Sequence, residues 1–186
     1  MNSVVLDACV LYSAQLRSFL LWLAHAELFH PIWTAEIQDE WFRTLLPKRP
    51  ELAEKLERTH QIMVAEFPRS FVRGYESRVP ALQLPDVKDR HVLAVAIHMK
   101  AKYIVTLNLN DFPQTSLQPC GIEAISPDDF VFRLTRESPM LVVLVAKRHR
   151  RGLIRPPLSV NEYLVMLEKQ GLLQTVAFLR KYENSI

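Results

Sequence analysis

One stretch, residues 84–112, restricts the folds open to this chain: LPDVKDRHVLAVAIHMKAKYIVTLNLNDF. Pro85-Asp86, with Asp89 three residues on, is a helix-start signal. Val92, Leu93, Ala96 and Ile97 then recur at the three-and-four spacing of one buried helical face. After Lys100-Ala101-Lys102 the pattern changes to a short β-rich run over 103–106, and the polar tip Asn108-Leu109-Asn110-Asp111 follows at once. A helix feeds a buried strand, with acids where the helix begins and just beyond where the strand ends. In open α/β sheets the crevice outside the carboxyl ends of the strands is the usual ligand site.

The preceding residues fit the same plan. Residues 3–11 open with a short buried strand interrupted by Asp7. An unpaired carboxylate directly after Val-Val-Leu is costly, so Asp7 requires a metal ion or a hydrogen-bond donor, or else it caps the next helix. The stretch alone leaves both open. Residues 18–28 read as a helix apolar almost all round, and 29–33 as a second strand. Thr34 is an N-cap candidate for a helix whose Ile37, Trp41 and Leu45 share one face. Glu36 and Glu40 share another, where like charges repel mildly unless something positive sits between them; taken alone, this is a solvated acidic face. Residues 51–66 read as a surface helix ended by Pro68, and 67–83 as a strand-bearing connection. Gly121 begins a short strand to residue 125, and Ser126-Pro127 starts another helix.

Beyond residue 130 the chain reads as helices only, over 130–136, 139–151, 159–169 and 172–182. Ser159-Val160-Asn161-Glu162 is a capping box, and Arg155-Pro156-Pro157 a stiff hinge. The expected organisation is therefore an α/β domain over 1–130, a parallel sheet flanked by helices, and a C-terminal helical extension over 131–186. Charge divides along the same line. Residues 131–186 carry ten Lys/Arg against four Asp/Glu, and residues 1–130 thirteen against sixteen. An acidic body with a basic end suits a protein that gathers carboxylates yet approaches a polyanion. Lys147, Arg148, Arg150 and Arg151 concentrate that charge. They have two readings: complement to a helix dipole, or contact with phosphates.

Composition excludes several classes. Four glycines against twelve prolines, with no GxGxxG or GxxxxGK[ST], argue against a phosphate loop. Cys9 and Cys120 lie far apart in apolar surroundings and read as buried thiols rather than a disulfide or metal pair. No zinc-spaced His/Cys cluster is present, His91 and His98 read as helix-face residues, and no nucleophile elbow supports a Ser/His/Asp hydrolase. The longest apolar runs, 19–24 and 140–146, fall short of the about 20 residues a bilayer requires. With no signal-peptide pattern at the N-terminus, the expectation is a cytoplasmic protein without a membrane partner.

Four acids remain for chemistry: Asp7, Glu40, Asp89 and Asp111, each near the carboxyl edge of the expected sheet. Converging carboxylates repel and are tolerated around a hard divalent cation such as Mg²⁺ or Mn²⁺. Such an ion lowers the pKa of water and stabilises charge on a phosphodiester. In order and context these residues resemble the PIN-domain nucleases, particularly the VapC-like ribonuclease toxins. The resemblance rests on Val5-Leu6-Asp7-Ala8, Thr34-x-x-Ile37-x-x-Glu40, Asp86-x-x-Asp89-Arg90-His91-Val92-Leu93-Ala94 and Ile104-Val105-Thr106-x-Asn108-x-x-Asp111-Phe112, and it covers roughly residues 2–130. It implies an endoribonuclease whose metal-binding acids are Asp7, Glu40, Asp89 and Asp111, with Thr106 and Asn108 in support. Many relatives carry Asp at the Asn108 position, so this site has one charge fewer. Asp86 is expected to cap the helix and Asp89 to do chemistry. The family also implies an antitoxin whose tail blocks the acidic cleft, and commonly a homodimer. Two alternatives stand beside this reading: an RNA-processing nuclease without an antitoxin, and a non-catalytic module that binds RNA or protein.

Overall fold

The computed structural model describes residues 1–186, which group into two compact units. One comprises Asn2–Tyr12 and His30–Ile125; the other comprises Met1, Ser13–Phe29 and Ser126–Ile186. The strands are β1 (Ser3–Leu6), β2 (His30–Ile32), β3 (Tyr103–Val105) and β4 (Glu123–Ile125). The helices are α1 (Ala8–Tyr12), α2 (Ala14–His25), α3 (Ala35–Leu45), α4 (Ala53–Glu66) and α5 (Arg90–His98). Then follow α6 (Gln114–Leu117), α7 (Pro127–Glu137), α8 (Pro139–Gly152), α9 (Val160–Lys169) and α10 (Leu173–Arg180). None of these helices is long and apolar enough to cross a membrane.

In the first unit the four strands form one parallel sheet in the order β2-β1-β3-β4. Val5 pairs with Ile32 on one side and Ile104 on the other, and Ile104 with Ala124. Parallel strands are buried on both faces, which explains why these segments are apolar runs rather than alternating ones. The expected α/β architecture, a parallel sheet flanked by helices, is the one observed. Helix α5 lies against β1 and β3, α6 against β4, and α1 against α3. Thr34 caps α3, its Oγ1 accepting from Ile37 N at 3.1 Å, and Ile37 and Trp41 are buried on the expected face. The chain turns from β1 toward β2, while β3 lies on β1's other side, so the crevice of this sheet opens at the ends of β1 and β3.

Several boundaries differ from the sequence reading. Helix α5 begins at Arg90, because Asp86 accepts from Lys88 N at 2.9 Å and the chain makes a 3₁₀ turn, Val87–Asp89, first. Its buried surface is wider than one face: the six residues from His91 to Ala96 are all buried. Pro50–Leu52 is likewise a 3₁₀ turn before α4. Residues 67–83 hold no strand, only a bridge of Phe71 to Trp33, with Val72 N donating to Trp33 O at 3.0 Å. Gly74, at φ 86°, and the 3₁₀ turn Glu76–Ala81 containing Pro80 end it. Both cysteines are free, as expected, but neither is buried: Cys9 is half-buried and Cys120 exposed, in a 3₁₀ turn closed by Gly121 at φ 67°.

The second unit is helical and includes α2, which starts at Ala14 because Ser13 accepts from Leu16 N at 3.4 Å. Ser126 caps α7, and Ser159 and Glu162 complete the expected capping box of α9. No side chain next to it in sequence caps α10. Instead, Asp128 of α7 accepts from Gln174 N at 2.8 Å and Thr175 N at 2.9 Å, where a carboxylate complements the helix dipole.

The least usual member of this core is His149 of α8, 1% exposed. Its Nδ1 lies 3.0 Å from Tyr163 Oη and its Nε2 3.1 Å from Ser18 Oγ, with the rings of Phe19 and Trp22 beside it. Burial pushes its pKa down to about 4. The unfolded imidazole protonates near 6.5, so the unfolded state binds more protons between 6.5 and 4, and stability falls as pH falls through that window. The expected loss is on the order of 2 kcal/mol by pH 5. Thermal melts from pH 7.5 to 5 check this. His149→Gln should melt lower at pH 7.5 yet lose less than the native chain on acidification; an unchanged slope would remove His149 as its source.

Candidate functional site

Asp7 occupies the first position past β1, where its backbone closes one ladder and starts a helix. Its N–H donates to Val105 O at 3.1 Å, and its carbonyl accepts from Val10 N at 3.0 Å and Leu11 N at 3.2 Å. The carboxylate is buried, and three donors meet it: Ala8 N at 2.7 Å on Oδ1, with Thr106 Oγ1 at 2.7 Å and Cys9 Sγ at 3.1 Å on Oδ2. Thr106 stands one residue past β3 and is fully buried; its Oγ1 also accepts from Asn108 N at 3.0 Å. Burial first, then the charge of Asp7, pushes the Cys9 thiol up to about 12, so it stays protonated and able to donate.

These residues floor a cleft of about 630 Å³ lined by Asp7, Glu40, Asp86, Asp89 and Asn108 among the residues expected at the site. Asp111 is not part of the wall; it sits in a 3₁₀ turn, Leu109–Asp111, and acts on the cleft through its charge. Asp86 caps the turn before α5, whereas Asp89 makes no capping hydrogen bond. Burial pushes the Asp89 carboxyl up to about 6, reinforced by the charges of Asp7, Asp111, Asp86 and Glu40.

Glu40, midway along α3, presents Oε1 to His91 Nε2 at 2.9 Å. An ionised carboxylate only accepts, so Nε2 carries the hydrogen. His91 is 2% exposed, and its Nδ1 lies 3.7 Å from Glu36 Oε2, which accepts a hydrogen bond from Tyr75 Oη at 3.2 Å. Burial lowers the basicity of His91, but the hydrogen bond to Glu40 and the charges of Glu40, Glu36 and Asp7 outweigh it, and its pKa is raised. Sequence reasoning placed His91 on a helix face and Glu36 in solvent. The legible signal was the Glu36/Glu40 pair, like charges four residues apart that lacked a cation between them.

The cleft also displays cations that the sequence did not single out: Arg43 and Lys48 at and beyond the end of α3, and Lys88 of the turn before α5. In the basic run of the second unit, Arg148 and Arg151 are exposed and Lys147 half-exposed. Arg150 instead donates to the carbonyls of Leu158 at 2.8 Å and Ile186 at 3.2 Å, and His149 is buried. Helical spacing turns those two inward while their neighbours face solvent.

No group of three His, Cys, Asp or Glu side chains is arranged to hold a metal ion here. In chemistry, however, the donors suit a hard divalent cation: all are oxygens, and burial, then the charges of the neighbouring carboxylates, raises the pKa of Asp89.

The fold agrees with comparison to known families. The family model described as PIN domain matches residues 3–110. The chain belongs to the PIN-domain family. A second model, described as VapC50 C-terminal domain, matches residues 127–181, downstream of the PIN domain. Over 104 residues the chain is 45% identical to a protein of Mycobacterium tuberculosis (strain ATCC 25618 / H37Rv) named "Putative ribonuclease VapC50". That alignment covers 54% of this chain and 59% of the relative, so the chain spans less than two thirds of the relative's length. No solved structure matches.

The electrostatics of this PIN domain carry a stability consequence. The folded pKa of Asp89, about 6, lies above the ordinary 3.8, so the folded state holds that proton more tightly. The resulting penalty on folding is full above pH 6, shrinks between 6 and 3.8, and vanishes below. In chelator at pH 7.5, Asp89→Asn should therefore raise the melting temperature, and the gain should shrink toward pH 4.5. A gain independent of pH, or none, would contradict the crowding of charge described above.

Proposed function

We propose that this chain is a metal-dependent endoribonuclease that hydrolyses RNA phosphodiester bonds, the toxin of a VapBC-type toxin–antitoxin pair acting in the cytoplasm. The observation that carries the reading is the carboxylate cleft at the ends of β1 and β3 in a PIN-domain chain. The printed name of the Mycobacterium relative, a ribonuclease, supports the substrate class.

Asp7, Glu40 and Asp89 would hold Mg²⁺ or Mn²⁺, with Asp111 adding negative charge from beside the cleft. A bound ion of this kind supplies Lewis acidity at phosphoryl oxygens and makes water a stronger nucleophile. The chain's own residues do the rest. Thr106 and Cys9 hold the Asp7 carboxylate in one orientation. Asn108 adds a neutral oxygen to the wall where an acid would add charge. Arg43, Lys48 and Lys88 receive the flanking phosphates at the cleft, while Lys147, Arg148 and Arg151 add a second basic contact from α8. An antitoxin would occupy the acidic cleft and a homodimer would form, as the family reading implies.

Total cellular RNA incubated with the purified protein should yield discrete fragments with Mg²⁺ or Mn²⁺ and none with chelator. Asp7→Asn should slow cleavage about a hundredfold or more. RNA that binds but stays intact with metal-loaded, folded protein would replace the nuclease with the binding module. The double variant Lys48→Gln/Lys88→Gln should bind RNA more weakly. Its log–log salt slope should be shallower by about 0.7 per lost contact on a single strand.

A further inference from the structure

The cleft needs Glu40 in one place, and α3 alone does not put it there. Glu40 projects from an amphipathic helix with a third of its side chain exposed, and a glutamate so placed has several rotamers open to it. Across the cleft wall, His91 is the reverse: 2% exposed, held in a helix buried on all sides, its ring unable to swing into solvent. A rigid donor therefore meets a mobile acceptor.

We propose that His91 is a positioning residue that fixes the Glu40 carboxylate in the cleft. The inference rests on the nuclease reading for its consequence, and on geometry for its substance. Nε2–H donates to Glu40 Oε1 at 2.9 Å. On the ring's other side Glu36 Oε2 stands 3.7 Å from Nδ1, and Tyr75 Oη, donating to that same oxygen at 3.2 Å, keeps Glu36 from turning away. Tyr75 is itself buried, 4% exposed, whereas Glu36 is 52% exposed, so the fixed groups here are the phenol and the imidazole. Four residues apart on α3, Glu36 and Glu40 bracket one imidazole, Glu40 at hydrogen-bond distance from Nε2 and Glu36 3.7 Å from Nδ1. Groups that orient a metal-binding carboxylate in this manner change metal affinity or activity by about 10- to 100-fold when removed, without touching the ion. His91 does not reach the substrate; it acts through Glu40.

Two measurements test the proposal, the first without metal. Nitrogen-edited NMR of the metal-free protein should show a slowly exchanging His91 Nε2–H proton that disappears in Glu40→Ala. The second is calorimetric titration of Mn²⁺ into the native chain, His91→Leu, His91→Gln, Glu40→Gln and the His91→Leu/Glu40→Gln pair. His91→Leu should weaken Mn²⁺ binding about tenfold or more, and His91→Gln, whose amide can still donate, should recover most of it. In the Glu40→Gln background His91→Leu should cost nothing further. A purely structural role would instead lower the melting temperature in every background and leave Mn²⁺ affinity unchanged or additively reduced; that result overturns the proposal, as does a missing Nε2–H signal. A protected Nε2–H in a protein that binds no Mn²⁺ would overturn the metal-nuclease reading alone and leave the His91–Glu40 contact standing.

Discussion

A charged carboxylate held out of water at the end of a central strand is the constraint around which the first unit is assembled. Left unpaired, Asp7 would cost several kcal/mol, more than most single contacts return. Three donors offset this, and each arrives from a different step of folding: Ala8 N from the turn into α1, Cys9 Sγ from that helix, and Thr106 Oγ1 from the end of β3. The last requires β1 and β3 to pair with Leu6 opposite Val105. A slip of one residue would bring Val105 or Leu107 to the carboxylate in place of the hydroxyl, and reverse every side chain of the strand. Sheet register and site geometry are thus set by one interaction.

The acids around Asp7 are compensated to decreasing degrees. Asp7 has three donors, Glu40 an imidazole, Asp86 a backbone amide of its own turn, and Asp89 no capping bond at all. Burial, then the charges of its neighbours, pushes the pKa of Asp89 up to about 6. A fold selected for stability alone would not leave like charges crowded beside a buried strand end. The gradient runs from a rigid, satisfied floor to an unsatisfied wall, the arrangement expected of a site completed by something positive.

Much of this was legible in the sequence, because strong local signals dominated where it was read well. The four apolar runs became the four strands, Thr34, Ser126 and Ser159 are caps, and Asp7 falls just past β1, where a polar residue interrupts an otherwise uniform hydrophobic run. The misreadings have physical causes. Residues 67–83 carry β-type residues, but Gly74 and Pro80 leave them a single bridge. Helix α2 starts four residues earlier than read because Ser13 caps it, and Ser13 also meets Gln170 through a hydrogen bond across 157 residues. The grouping of α2 with α7–α10, the reach of Asp128 to the start of α10, and the inward turn of Arg150 are likewise tertiary facts with no local signature.

His91 marks the boundary between the two kinds of information. On helix rules alone, Glu36 and Glu40 repel by a few tenths of a kcal/mol and belong in solvent, and a histidine inside an apolar helix belongs to the core. Each judgement is sound for an isolated helix, and together they leave two small penalties unexplained: a like-charged pair, and a buried polar ring without a partner. One contact eases both, since the ring that α5 buries donates its Nε2–H to one of the two glutamates of α3. Two local inconsistencies on separate helices are therefore better read as a single long-range complement, and a sequence that shows both is indicating where its helices meet.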